Sequence, residues 1–218
     1  MICRVNNTNL YHEKYGAGRP LLLLHGNGET HKIFDKATPL LAEHFTVYAI
    51  DSRGHGQSDA VMEYHYDDFA EDIRCFINDL KLERPILYGF SDGGIMGLLL
   101  AAKYPQLLSQ IIISGANITP DGIRAGWLKL FRFINAIVKD PKITMMLKEP
   151  NITAEMLGCI VIPTTVLAGS RDMVKQNHTQ YIADNIPNSK LHILMGEGHG
   201  SYVLHSTKIV KLILDAIK

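Results

Sequence analysis

Gly89-Phe90-Ser91-Asp92-Gly93 stands between a short apolar run at residues 85–88 and a glycine-rich apolar run at residues 94–104. The pattern Gly-x-Ser-x-Gly between a strand and a helix is what a nucleophile elbow requires. There the chain turns so sharply that the serine is held in a strained backbone conformation, with its hydroxyl above the sheet. Side chains two residues to either side would collide with that turn, which gives Gly89 and Gly93 a steric reason for being there. A serine at a helix start is also a common capping residue, so Ser91 needs partners before chemistry can be assigned to it.

Those partners follow in the order serine, acid, histidine. A buried strand is expected at residues 164–168, and the turn Gly169-Ser170-Arg171-Asp172 ends in a carboxylate just beyond it. A further strand at residues 191–194 leads into Gly196-Glu197-Gly198-His199-Gly200, a histidine in a loop flanked by glycines. A serine hydroxyl is a poor nucleophile at neutral pH. It needs an imidazole to take its proton and an acid to fix the tautomer, which makes Ser91, His199 and Asp172 the candidate catalytic residues. The candidate oxyanion donors are the backbone N–H groups of Asp92, at a helix start, and Asn27, in the loop His25-Gly26-Asn27-Gly28 after an apolar strand.

Carried by these residues and by the loop Asp51-Ser52-Arg53-Gly54-His55-Gly56-Gln57-Ser58, the chain resembles the α/β-hydrolase superfamily over nearly its whole length. Locally, Ser91-Asp92-Gly93-Gly94-Ile95, Ala101-Ala102-Lys103-Tyr104-Pro105 and Gly115-Ala116-Asn117 are similar to the biphenyl-hydrolase-like branch, which cleaves amino-acid esters. The resemblance implies a mostly parallel sheet flanked by helices with a short helical cap, and a serine hydrolase of small carboxylic esters that uses no cofactor and no metal. The same machinery also serves C–C bond hydrolysis, lactone opening and perhydrolysis, and some proteins of the fold are small-molecule receptors without turnover. The resemblance bears on Asp92 too: its carboxylate either complements the helix dipole or binds a substrate ammonium group, and both readings stay open.

The periodicity agrees with such a fold. Strands are expected at residues 10–15, 20–24, 46–50, 85–88, 110–114, 164–168 and 191–194, alternating with helical stretches at 67–82 and 207–217. The stretch 117–160 breaks the alternation. It has no strand pattern, only helical spacing of Ile123, Trp127, Leu130, Phe131, Ile134 and Val138, and is read as a cap insertion within one domain spanning 1–218. Its aromatic stripe packs on the main domain, or Trp127, Phe131 and Met145 line an acyl pocket.

Lys and Arg number 22 and Asp and Glu also 22, so the formal net charge of +0 gives no reason to expect nucleic acid or membrane as a partner. The N-terminus lacks the basic start and apolar core of a signal peptide, and a cytoplasmic location is expected. Three widely spaced cysteines, Cys3, Cys75 and Cys159, fit neither a disulfide framework nor a zinc site. His25 and His55 are expected to order their loops rather than to act as bases.

Overall fold

The computed structural model describes residues 1–217. Eight strands form one sheet in the order β1-β2-β4-β3-β5-β6-β7-β8. They are β1 (Ile2–Val5), β2 (Thr8–Tyr15), β3 (Pro20–Leu24), β4 (Thr46–Ile50), β5 (Ile86–Phe90), β6 (Gln110–Ser114), β7 (Thr164–Arg171) and β8 (Ser189–Gly198). From β4 across to β8 every pairing is parallel, while β1 pairs with β2 and β2 with β4 antiparallel.

The seven expected strands are all present, and β1 is an addition. It pairs with β2 through the two-residue connection Asn6-Asn7, in which both residues have positive φ (42° and 61°). Asparagine tolerates that region, and the primed turns it allows match the twist of a hairpin. β7 and β8 run further than their apolar cores suggested, to Arg171 and Gly198, with a register shift between Gly169 and Arg171. That irregularity falls where the sheet ends and the loops bearing Asp172 and His199 begin.

Strands buried on both faces explain the continuous apolar runs. Along β3, Leu22 and Leu24 join a core on one side of the sheet, with α2 (Tyr66–Asp79) and α3 (Asp92–Lys103). Leu21 and Leu23 join a second core on the other side, with α1 (Thr38–Leu41) and α8 (Lys208–Ile217). This alternation is the period of two of an extended strand. α3 stops at Lys103, ahead of Tyr104-Pro105, because proline disfavours helical geometry in the residue before it.

Between β6 and β7 the chain forms no strand. A short 3-10 turn (Pro120–Gly122) leads to α4 (Ala125–Val138), α5 (Pro141–Lys148) and α6 (Ala154–Gly158), and α7 (Gln176–Asp184) follows β7. α4 buries only Leu128 of its 14 residues.

Candidate active site

Ser91 follows β5 directly, and its backbone angles, φ 52° and ψ −113°, lie where residues with a Cβ are rare. The strain is imposed by the surroundings. A Cβ on Gly89 would overlap the Gly93 carbonyl, and one on Gly93 would overlap the Leu24 carbonyl of β3. The turn is further tied by Ser91 N–H to the Ser114 carbonyl (2.7 Å) and Gly93 N–H to the His25 carbonyl (3.1 Å).

Parallel strands deliver their C-terminal ends to one edge, so β3, β5, β7 and β8 bring the Asn27 loop, Ser91, Asp172 and His199 together. His199 Nε2 lies 3.2 Å from Ser91 Oγ, and His199 Nδ1 lies 2.7 Å from Asp172 Oδ1. Asp172 is buried and also accepts from the N–H groups of Val174 (3.0 Å) and Gly169 (3.4 Å). Burial would raise its carboxyl. The His199 hydrogen bond and charge, with the two backbone donors, outweigh that and hold it below the usual carboxylate range. With both carboxylate oxygens engaged, Asp172 is fixed as the acceptor of an Nδ1 proton, which leaves Nε2 to face the serine.

The N–H groups of Asn27 and Asp92 donate to no acceptor among the described residues. The loop carrying Asn27 is held by two histidines. His25 Nε2 accepts from Ser52 N–H (3.0 Å) with Nδ1 on the Gly26 carbonyl (2.8 Å). His55 Nε2 accepts from Gly28 N–H (3.1 Å) with Nδ1 on the Arg53 carbonyl (3.0 Å). Each ring thus accepts at Nε2 and donates at Nδ1, the bonding of a neutral imidazole. Burial and the neighbouring His55 push His25 down to about 4, and burial also lowers His55.

A cavity of about 290 Å³ opens onto Ser91 and His199. Its apolar wall comes from Phe131 and Ile134 of α4, Ile143 and Met146 of α5, and Met173. Of the side chains expected there, Phe131 is in place, but two corrections are needed. Met145 is buried in the main core and its neighbour Met146 faces the cavity, since one residue along a helix turns the side chain by about 100°. Trp127 stacks on Phe131 from outside, ring centroids 6.0 Å apart, and does not line the cavity.

Asp92 requires a third correction. Its carboxylate is buried beneath the elbow, accepting from Tyr66 Oη (2.8 Å) and Asn27 Nδ2 (3.0 Å), and is not part of the cavity wall. Burial pushes it up to about 6 against the pull of those two hydrogen bonds. This arrangement favours the reading in which the carboxylate is a structural group at the helix start over one in which it binds a substrate ammonium. The carboxylate that does line the cavity is Glu29, missed in the sequence although it stands in the same glycine-rich loop. Glu29 accepts from Gly26 N–H (3.0 Å).

No group of three or more His, Cys, Asp and Glu among the described residues has the arrangement of a metal site. Among those residues no helix is long and apolar enough to cross a membrane.

An eight-stranded, mostly parallel sheet with a strained serine at a strand-to-helix turn defines the alpha/beta hydrolase fold, whose family model matches residues 19–140. The chain belongs to that family and is a hydrolase. It is 26% identical to serine hydrolase BPHL of Mus musculus, over 98% of this chain and 84% of the relative. It is also 26% identical to AB hydrolase superfamily protein YisY of Bacillus subtilis, over 95% and 94%. Two solved structures share the fold. One is the esterase EaEST from Exiguobacterium antarcticum (TM-score 0.82, 23% identity, 99% of this chain and 98% of that one). The other is the enol-lactonase from Burkholderia xenovorans LB400 (TM-score 0.83, 18% identity, 100% and 99%).

Proposed function

We propose that this protein hydrolyses small carboxylic esters that carry no negative charge, through an acyl-enzyme on Ser91. The observation that carries the proposal is the continuous hydrogen-bonded chain Ser91–His199–Asp172, with the serine strained at the elbow and facing a largely apolar cavity.

In this mechanism Ser91 Oγ attacks the ester carbonyl carbon while His199 Nε2 takes its proton. Asp172 keeps the other proton on Nδ1 and stabilises the imidazolium. The negative charge that develops on the carbonyl oxygen falls to the free N–H groups of Asn27 and Asp92. Asp92 adds the positive end of the α3 dipole. His199 returns its proton to the departing alcohol. A water activated by the same imidazole then attacks the acyl carbonyl, and Ser91 is regenerated.

The cavity wall argues against an anionic acyl group. It contains no lysine or arginine, and its one carboxylate is Glu29, so an acidic substrate would meet a like charge. Asp92 is engaged by Tyr66 and Asn27, so for an amino-acid ester the carboxylate on the cavity wall that faces an ammonium group is Glu29.

The test is a fluorophosphonate probe with a panel of short neutral esters. Ser91 should be the sole labelled residue, and Ser91→Ala should abolish labelling and lower turnover by about six orders of magnitude. Undiminished ester cleavage in Ser91→Ala would refute the proposal.

A further inference from the structure

The outer side of α4 is unlike the rest of the surface. Phe133, Ile137 and Val138 are 65%, 67% and 63% exposed, and Trp127 and Leu130 are each 44% exposed. At 100° per residue these five side chains and the cavity-lining Phe131 and Ile134 occupy one continuous apolar arc. The inner edge of the arc closes the cavity, and the outer part faces solvent along a helix about 21 Å long. A stability role accounts for the inner edge only, since burying a helix needs no large apolar residue on its solvent side.

Charge is segregated onto the same segment. From residue 124 to 148 the chain carries Arg124, Lys129, Arg132, Lys139, Lys142 and Lys148 against the single carboxylate Asp140, although the whole chain is balanced. The remainder of the molecule therefore has an excess of carboxylates. Lys142 lies over the Tyr64 ring. Of the others, Arg124, Lys129, Arg132, Lys139 and Lys148 form no salt bridge among the described residues. The overall net charge hid this local excess.

We propose that α4 is a docking surface for an anionic lipid bilayer, lying in the interface plane with its outer apolar side chains among the acyl chains and its cations among the headgroups. An exposed apolar stripe with Lys129 at its edge, on a segment rich in unpaired cations, suits a soft anionic interface. A second copy of the chain is the poorer occupant. A two-fold pairing through α4 would set the same basic segment against itself. Docking also brings the interface next to the cavity, because Trp127 on the outer stripe stacks on Phe131 of the cavity wall.

Trp127 is the sole tryptophan, so fluorescence excited selectively at the red edge of absorption, beyond that of the nine tyrosines, reports on this helix. The experiment titrates the full chain with vesicles of equal parts phosphatidylcholine and phosphatidylglycerol, and with vesicles of phosphatidylcholine only, following Trp127 emission and co-sedimentation. Emission should shift to the blue on the anionic vesicles, weakly or not at all on the neutral ones, and revert with added salt. Phe133→Ser combined with Ile137→Ser should lower partitioning at least about tenfold, as should Lys129→Glu combined with Arg132→Glu. Both pairs are exposed, and circular dichroism melting checks that the variants are folded. Absence of a shift on anionic vesicles, equal binding to neutral ones, or undiminished binding in either double variant would overturn the proposal. So would a blue shift in buffer that grows with protein concentration alongside dimer formation in sedimentation velocity, since a second copy would then cover the stripe. None of these readouts depends on ester cleavage.

Discussion

At the scale of single residues, two carboxylates near Ser91 have opposite fates, and neither could be assigned by its distance along the chain. Asp172 lies in hydrogen-bond reach of His199, while Asp92, adjacent to the serine, turns under the elbow to Tyr66 and Asn27. Asp172→Asn should therefore keep the fold but cost about four orders of magnitude in turnover, through loss of the correct histidine tautomer. Near-normal rates would place the acid elsewhere. Asp92→Asn should act differently, because the carboxylate holds the Asn27 side chain and, through it, the oxyanion loop. It should slow matched aminoacyl and des-amino esters by the same factor, with the ratio of their kcat/KM unchanged. A selective loss on the amino substrate would show that the carboxylate reaches the substrate after all. The sequence made the residue types around Ser91 legible, since each is a local requirement of one turn. It left the direction of the Asp92 side chain illegible because its partner Tyr66 comes from another helix, α2.

At the scale of elements, periodicity identified seven of the eight strands and the sheet-flanking helices α2 and α8, since burial on two faces or one face leaves a direct imprint on apolar spacing. β1 escaped because it is only four residues long and half exposed, so it has no apolar run of its own. Its one signal was the Asn6-Asn7 turn. The helical stretch between β6 and β7 was legible as helical but not in its rotation, which is why Met145 was expected where Met146 lies and why Ile134, one turn from Phe131, was overlooked. The same geometry leads to a test of the cavity wall. Phe131→Ala should open space opposite Ser91 and raise the kcat/KM ratio of longer to shorter acyl esters by about tenfold, a change of the size that one or two methylenes in an apolar pocket command. An unchanged ratio would mean that the acyl chain runs along another wall.

For the whole molecule, the burial of ionisable side chains sets a pH dependence that composition does not reveal. His12 and His25 are both buried, and burial pushes each down to about 4 from the usual 6.5. Between those values the unfolded chain binds protons that the native state does not, so stability is lost as pH falls through 6.5 toward 4. Asp92 acts in the opposite sense. Its buried carboxyl, raised to about 6 from 3.8, takes up a proton in the native state first and offsets part of the loss below pH 6. Two histidines against one carboxyl leave a net destabilisation between pH 7 and pH 5, in the same sense as the lowering of His55 and His178 by burial. The melting temperature should accordingly fall over that interval, most steeply near pH 6, where proton uptake by the unfolded histidines most exceeds uptake by native Asp92. His12 packs edge-on against Phe76, with ring centroids 5.0 Å apart, and its Nδ1 has no hydrogen-bond partner. His12→Leu can keep an apolar contact there while removing one of the two titrating histidines, and should flatten most of the slope, since Asp92 then nearly offsets His25. His25→Leu is the poorer test, because it would also free the Ser52 N–H and loosen the oxyanion loop. A melting temperature that is level or rising from pH 7 to pH 5, in the parent chain, would show that these histidines gain protons without unfolding the core around them.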